Sequence, residues 1–375
     1  MQKRRIYADH AATTKMKETA LREMQACLAE EYANPSSAYS FSRSVKRKLR
    51  AAREQIAAAI GAKPQEIYFT SGGTESDNWA IKGSAFLYPG RRKRVITSCI
   101  EHHAVLHTCE FLSKFGYEVI YLPVSEEGVV DGRALEKAID ENTAVVSVML
   151  ANNEIGTIEP VRELAGIAHE HQVSFHTDAV QAVGHIPLSV VDLGVDMLSA
   201  SAHKFGGPKG IGFLYVREGT ELSAFHHGGA QESGLRAGTE NVAAILAMAS
   251  ALGESSSSLE LFSRRTTSLE QVILNGLDAA SIDYKRNGSP LRLPGLLSLS
   301  FRGTDGERLM HRLDLAGISV STGSACNSRE TEVSHVLQAI CLPEEYAKGT
   351  IRISLGDDNT EEEARAMVEA LRRCL

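Results

Sequence analysis

The chain reads as an α/β protein, with a large lobe built on a mostly parallel sheet and a smaller α+β lobe. Three observations predict this. Between residues 66 and 216, short β-branched runs alternate with longer stretches carrying apolar residues at helical spacing, the mark of βαβ units. Beyond residue 258 that alternation stops and strands and helices follow in mixed order. At 375 residues the chain also exceeds one compact unit, so two lobes are expected.

Taken in order, the strands expected in the large lobe are 66–70, 94–98, 118–122, 144–149, 173–177 and 211–216. Segments 105–115 and 161–171 have helical periodicity between them. The serine run 255–258 closes one helix and precedes another beginning near Leu259, which places a lobe boundary and a polar linker there. After it, 296–301, 318–321 and 351–355 read as strands, and 307–316 and 361–373 as helices. Thr360 and Glu363 have the spacing of a capping box for the last helix.

Composition excludes several classes. A net charge of −7 leaves no basic footprint for nucleic acid or an anionic membrane, so a small-molecule substrate fits better. The basic start 1–5 develops no apolar signal region, and no apolar run approaches about twenty residues. The expected location is the cytoplasm, where the six cysteines are reduced thiols. None forms a C-x-x-C pair and no His/Cys ladder is present, so no metal site is expected.

The stretch 199–212, SASAHKFGGPKGIG, carries the chemistry. Lys204 follows a strand-like run and precedes glycines, so its amine can reach a ligand from a turn. A partly buried lysine beside other cations becomes nucleophilic toward an aldehyde, which is how pyridoxal phosphate is held. Most lysines in glycine loops are surface residues, and what sets this one apart is its company. Ser201 and His203 can supply phosphate contacts. Asp178 ends strand 173–177, where it can keep a pyridine nitrogen protonated, and Gln181 can donate to the ring's phenolic oxygen.

The run 71–74, Ser-Gly-Gly-Thr, follows a strand and opens a helix, so Gly73 and Thr74 are candidates for holding a phosphate on unpaired N–H groups. It matches neither nucleotide motif, G-x-x-x-x-G-K or G-x-G-x-x-G. His102, in Glu101-His102-His103 after strand 94–98, can stack on the cofactor ring and move protons. Cys326 lies in a small-residue segment with no apolar face to bury it, so its thiol can ionise and attack, whereas Cys27, Cys109 and Cys341 sit in apolar helical patterns and read as core. Arg352, in strand 351–355, offers a fork for a substrate carboxylate.

In this order the motifs resemble the cysteine desulfurases, the NifS/IscS-like branch of the class V aminotransferase group, nearly end to end. The stretches that carry the resemblance are YADHAATT (7–14), NPSS (34–37), FTSGGTESDN (69–78), EHHAVL (101–106), NNEIG (152–156), HTDAVQ (176–181), SASAHKFGGPKG, GLRAGTEN (234–241) and STGSAC (321–326). The resemblance implies a fold type I pyridoxal 5'-phosphate enzyme with a seven-stranded sheet. Its large domain would span 16–258, and its small domain would combine 1–15 with 259–375.

It also implies a homodimer in which Thr239 reaches the partner subunit's phosphate, with Asn153 at the cofactor ring and Asn34, Asn153 and Arg352 on the substrate carboxylate. The implied reaction takes sulfur from L-cysteine as a persulfide on Cys326, leaves L-alanine, and passes the sulfur to an acceptor protein for iron-sulfur cluster assembly or tRNA thiolation. Catalytic roles fall to Cys326, Lys204 and His102. Lys15, Tyr39, Val333 and Asp357 depart from the family pattern, and none removes a group the chemistry requires. Rival readings are a selenocysteine lyase, β-lyase or aminotransferase on the same fold, or a catalytically silent scaffold. Loss of Lys204 or Cys326 would mark the scaffold, and both are present.

Overall fold

The computed structural model of the protein describes residues 5–87, 90–322 and 333–375. Its strands are β1 (Ile6–Tyr7), β2 (Ile67–Thr70), β3 (Arg94–Ser98), β4 (Glu118–Leu122), β5 (Thr143–Ser147), β6 (Ser174–Asp178), β7 (Met197–Ser201), β8 (Gly212–Val216), β9 (Tyr284–Arg286), β10 (Leu296–Phe301), β11 (Ile318–Ser319) and β12 (Thr350–Ser354). Seven of them form one sheet in the order β2-β8-β7-β6-β5-β3-β4. Neighbours from β7 through β4 run parallel, and β8 is antiparallel to both β7 and β2.

Helices cover both faces, so β5, β7 and β8 are buried at every residue. A strand covered twice has no polar face to alternate, which is why these segments read as continuous runs rather than as period-two patterns. The sequence reading has β7 only as the strand-like run before Lys204. Met-Leu-Ser-Ala-Ser is poor in β-branched residues, and its pairing with β6 and β8 makes it a strand. The order of strands puts the carboxyl ends of β2, β3, β5, β6 and β7 on one edge, where ligands of open α/β sheets bind.

A second sheet, β12-β10-β9, is antiparallel, and β1 pairs in parallel with β11. Around them one apolar cluster gathers Ile6 and Ala8 with Leu297, Leu299, Ile351 and Met367, so the N-terminal strip packs into the C-terminal third. The helix Glu361–Cys374 opens on the expected capping box, with Thr360 and Glu363 exchanging bonds of 3.2 Å. The serine run closes one helix and precedes another at Leu259, as expected, without any extended linker between them. Ser255 to Ser257 complete the helix Val242–Ser257, and the helix Leu259–Ala279 starts at once with a 68° bend. Ser255 is buried there and its hydroxyl donates to the Phe205 carbonyl at 3.0 Å. Among the described residues, no single helix is long and apolar enough to cross a membrane.

Candidate active site

At the carboxyl edge of the large sheet lies a cavity of about 580 Å³. Lys204, in a short turn (Ala202–Lys204) directly after β7, lines it, and its Nζ donates to the carbonyls of Ala11 at 2.6 Å and Ala12 at 3.0 Å. The N-terminal strip thus supplies acceptors for the amine. Gln181 binds the same Ala11 carbonyl through Nε2 at 2.9 Å.

Asp178, the last residue of β6, is 4% exposed and accepts from the Val180 N–H at 2.9 Å. Burial pushes its carboxyl above the usual range, against the pull of Lys204. Asp77, on the helix Gly73–Ala85, faces it, and burial together with the Asp178 charge drives Asp77 further up. The ligand atoms of Asp77, Asp178 and His102 lie within 4.8 Å of one another, and Asp77 Oδ1 has no hydrogen-bond partner. Behind them His176 is fully buried between the hydroxyls of Ser147 (2.8 Å) and Ser199 (2.9 Å), and burial lowers it to about 3. Two buried carboxyls held so close call for a positive charge between them.

His102 caps the helix His103–Ser113, its Nδ1 accepting from the Ala104 N–H at 3.1 Å, so a neutral ring carries its proton on Nε2. Burial and then the Lys204 charge lower it to about 4. Glu101, wholly buried before it, fixes this turn by accepting from the Ser98 hydroxyl at 2.6 Å and the Met149 N–H at 2.9 Å.

The far end of the cavity is the N-terminus of the helix Gly73–Ala85. No described hydrogen bond uses the N–H groups of Gly73, Thr74 or Glu75, and no side chain caps the helix. Gly72 adopts φ +146°, and a Cβ on Gly73 would stand 2.5 Å from Val180 Cγ2. Backbone donors are therefore exposed to the cavity without obstruction. Ser201 lies beside this turn, and His203 and Lys209 also line the cavity. Burial and the adjacent Lys204 lower His203 to about 4, and its Nδ1 lies 3.2 Å from Thr13 Oγ1.

Arg352 of β12, 4% exposed, also lines the cavity. Nη2 donates to Asp9 Oδ1 at 2.7 Å and Nη1 to the Asn153 carbonyl at 2.9 Å, while Nε has no partner. Asn153 also lines the cavity. The structure thus gathers Lys204, Gly73, Thr74, His102, Asn153, Asp178, Gln181, Ser201, His203 and Arg352 around one space. Asn34 and Thr239 are exposed and stand outside its wall in the single chain. Cys326 lies outside the described residues. Asp77, His176, Asp9 and Lys209 belong to the site and were not singled out from sequence. All four fall inside quoted stretches, Asp77 in FTSGGTESDN, Asp9 in YADHAATT, His176 in HTDAVQ and Lys209 in SASAHKFGGPKG, and that is the signal the sequence offers for them.

Residues 6–367 match the model of the family described as aminotransferase class-V. The chain is also 49% identical over 374 residues, 100% of its own length and 95% of the relative's, to cysteine desulfurase IscS of Dictyoglomus turgidum. The chain belongs to the class-V aminotransferase family, in its cysteine desulfurase branch. Among solved structures, a NifS-like protein superposes on this desulfurase-family chain with a TM-score of 0.93 at 40% identity, covering 98% of both chains. A structure titled SspA in complex with cysteine does so at 0.83 and 37%, covering 93% of this chain and 98% of that one.

The family's cofactor is pyridoxal 5'-phosphate, and the cavity fits it. Free N–H groups at a helix N-terminus suit the phosphate, and the lysine amine suits the aldehyde. The buried carboxyls of Asp178 and Asp77, with Asp77 Oδ1 left without a hydrogen-bond partner, suit a protonated ring nitrogen.

Proposed function

We propose that this family member removes sulfur from L-cysteine, forming L-alanine and a persulfide on Cys326 that an acceptor protein then takes. When bound, pyridoxal phosphate supplies an aldehyde for the Lys204 amine and a ring that withdraws electrons from the substrate's Cα. The chain's own residues do the rest. Asp178 keeps the ring nitrogen protonated, with Asp77 behind it. Lys204, once displaced by the substrate amine, takes the Cα proton. His102, neutral and placed at the wall, moves protons near the ring. Arg352 holds the substrate carboxylate, joined by Asn153, and Asn34 is a further contact proposed for the same group.

The Cys326 thiolate attacks the substrate sulfur, the C–S bond breaks toward carbon, and carbon gains a proton. Free cysteine plus enzyme thiol therefore become alanine plus enzyme persulfide. The described residues flanking 323–332 are tied to the site: Ser321 and Arg352 exchange backbone bonds of 3.1 and 2.6 Å, and the Ser334 hydroxyl donates to Glu154 Oε2 at 2.5 Å.

A homodimer, with Thr239 reaching the partner subunit's phosphate, belongs to the same proposal. So does delivery of sulfur to an iron-sulfur scaffold or a tRNA-thiolating protein, in the cytoplasm. The observation that carries the reading is that Lys204, Asp178 and Arg352 face one cavity of amino-acid and cofactor size. Cys326→Ser is expected to keep the cofactor's visible absorbance and lose alanine formation with a reductant present. A fully active Cys326→Ser enzyme would overturn the role of that thiol, and pyruvate with ammonia in place of alanine would overturn the reaction.

A further inference from the structure

A carboxylate stands in the turn that offers its N–H groups to the phosphate. Glu75 is the third residue of the helix Gly73–Ala85, lines the cofactor cavity and has a side chain only 8% exposed. Its charge repels a phosphate bound beside it, so a carboxylate here needs both a reason and a counter-charge. The structure shows both.

The reason is local. Glu75 Oε2 accepts the Ser71 N–H at 2.7 Å, which folds the chain back around Gly72 and leaves the N–H groups of Gly73 and Thr74 for the phosphate. The counter-charge comes from 161 residues further along the chain. Arg236 donates through Nε to Glu75 Oε1 at 2.8 Å and through Nη2 to Oε2 at 3.2 Å, as a fork. His226 Nδ1 stands 3.9 Å from the same Oε1, beyond hydrogen-bonding reach. Burial works against the Glu75 charge, and the bonds from Arg236 and Ser71 outweigh it and hold the carboxyl below its ordinary value.

Arg236 is itself fixed, although it does not line the cavity. Its neighbours pair with the preceding segment: the Ala237 N–H donates to the His226 carbonyl at 3.1 Å and the Phe225 N–H to the Leu235 carbonyl at 3.0 Å. Just upstream, Glu232 and Ser233 take φ of +46° and +59°, a region that side chains other than glycine rarely enter. Buried Glu232 holds that turn by accepting from Arg53 Nη2 at 2.6 Å and from the N–H of Phe69 in β2 at 3.0 Å. Segment 232–236 is thus tied at one end to the strand entering the phosphate turn and at the other to the turn itself.

We propose that Glu75 and Arg236 are positioning residues for the cofactor's phosphate: Glu75 shapes the turn and Arg236 cancels its charge, so the phosphate meets N–H donors without an opposing carboxylate. The inference rests on the family's cofactor and not on the fate of the substrate's sulfur.

The test compares pyridoxal 5'-phosphate with pyridoxal, which has the same ring and aldehyde and no phosphate, by fluorescence titration of the full-length apoenzyme. Arg236→Met leaves the Glu75 carboxylate uncompensated, so affinity for pyridoxal 5'-phosphate should fall at least about tenfold while that for pyridoxal stays within about twofold. In Glu75→Gln/Arg236→Met the amide still accepts the Ser71 N–H and the charge is gone, so affinity should return to within about threefold of the wild type. A wild type that binds both ligands alike would remove the phosphate site, and the proposal with it. If the wild type discriminates, three results would overturn the roles of Glu75 and Arg236 and leave the cofactor site standing: equal loss of both ligands in Arg236→Met, no loss of either, or a double variant as weak as Arg236→Met.

Discussion

Replacing Arg352 by lysine tests the carboxylate clamp most directly. The guanidinium is buried, yet its described bonds engage only Asp9 and the Asn153 carbonyl, and Nε is left without a partner. Arg352→Ala would strand Asp9, whose side chain is 20% exposed, and would confound binding with stability. Lysine keeps the positive charge beside Asp9 and removes only the planar fork. A hydrogen bond between charged groups contributes about 1.5–3 kcal/mol. At ~1.4 kcal/mol per tenfold, losing one raises KM for L-cysteine by about 10- to 100-fold. Because the carboxylate is held alike before and during the reaction, kcat should change much less. The assay is alanine formation over a range of cysteine concentrations with a reductant, with the cofactor's visible absorbance as the check on loading. A cofactor-loaded Arg352→Lys enzyme with unchanged KM would refute the clamp.

Two further predictions probe the turn at Gly73 and the buried carboxyl that precedes His102. Gly73→Ala puts a Cβ 2.5 Å from Val180 Cγ2, so the start of the helix must shift. At an overpacking cost of about 1–3 kcal/mol, affinity for pyridoxal phosphate, followed by fluorescence titration of the apoenzyme, should drop by about 5- to 100-fold. An unchanged affinity would remove this turn from the phosphate cradle. Burial raises Glu101 from 4.5 to about 8, so between those values the folded chain holds a proton that the unfolded chain releases. Stability contributed by this group is complete below pH 4.5 and declines as pH rises through about 8, by at most about 1.4 kcal/mol per pH unit. Denaturant unfolding of Glu101→Gln should therefore fall less steeply than the wild type from pH 5 to pH 8, and parallel curves would count against a protonated Glu101.

Much of this site is legible locally. Lys204 after a strand, Asp178 at a strand end and Gly73-Thr74 between strand and helix are each placed by a few neighbouring residues, because strand ends and helix starts are local events. Asp77 is different. In sequence it is one more polar residue in a helix, and only the packing of that helix over the sheet brings it to Asp178 and His102. The carbonyls of Ala11 and Ala12 are harder still, since every residue carries an acceptor and nothing in the side chain says which one a lysine will use. The serine run ends the first helix where its composition predicts, whereas the 68° bend into the next helix and the burial of Ser255 against Phe205 depend on packing.

By itself the sequence determined the α/β class, the strand-turn-helix units and the order of reactive groups along the chain, since these follow from periodicity and local turn chemistry. Tertiary structure alone decided which of those groups share a cavity. The Ala11 carbonyl meets Lys204 across 193 residues, and Asp9 meets Arg352 across 343. Such pairings depend on β1 lying beside β11 and on sheet order, and both are set by how buried faces of distant segments fit together rather than by any stretch of residues alone.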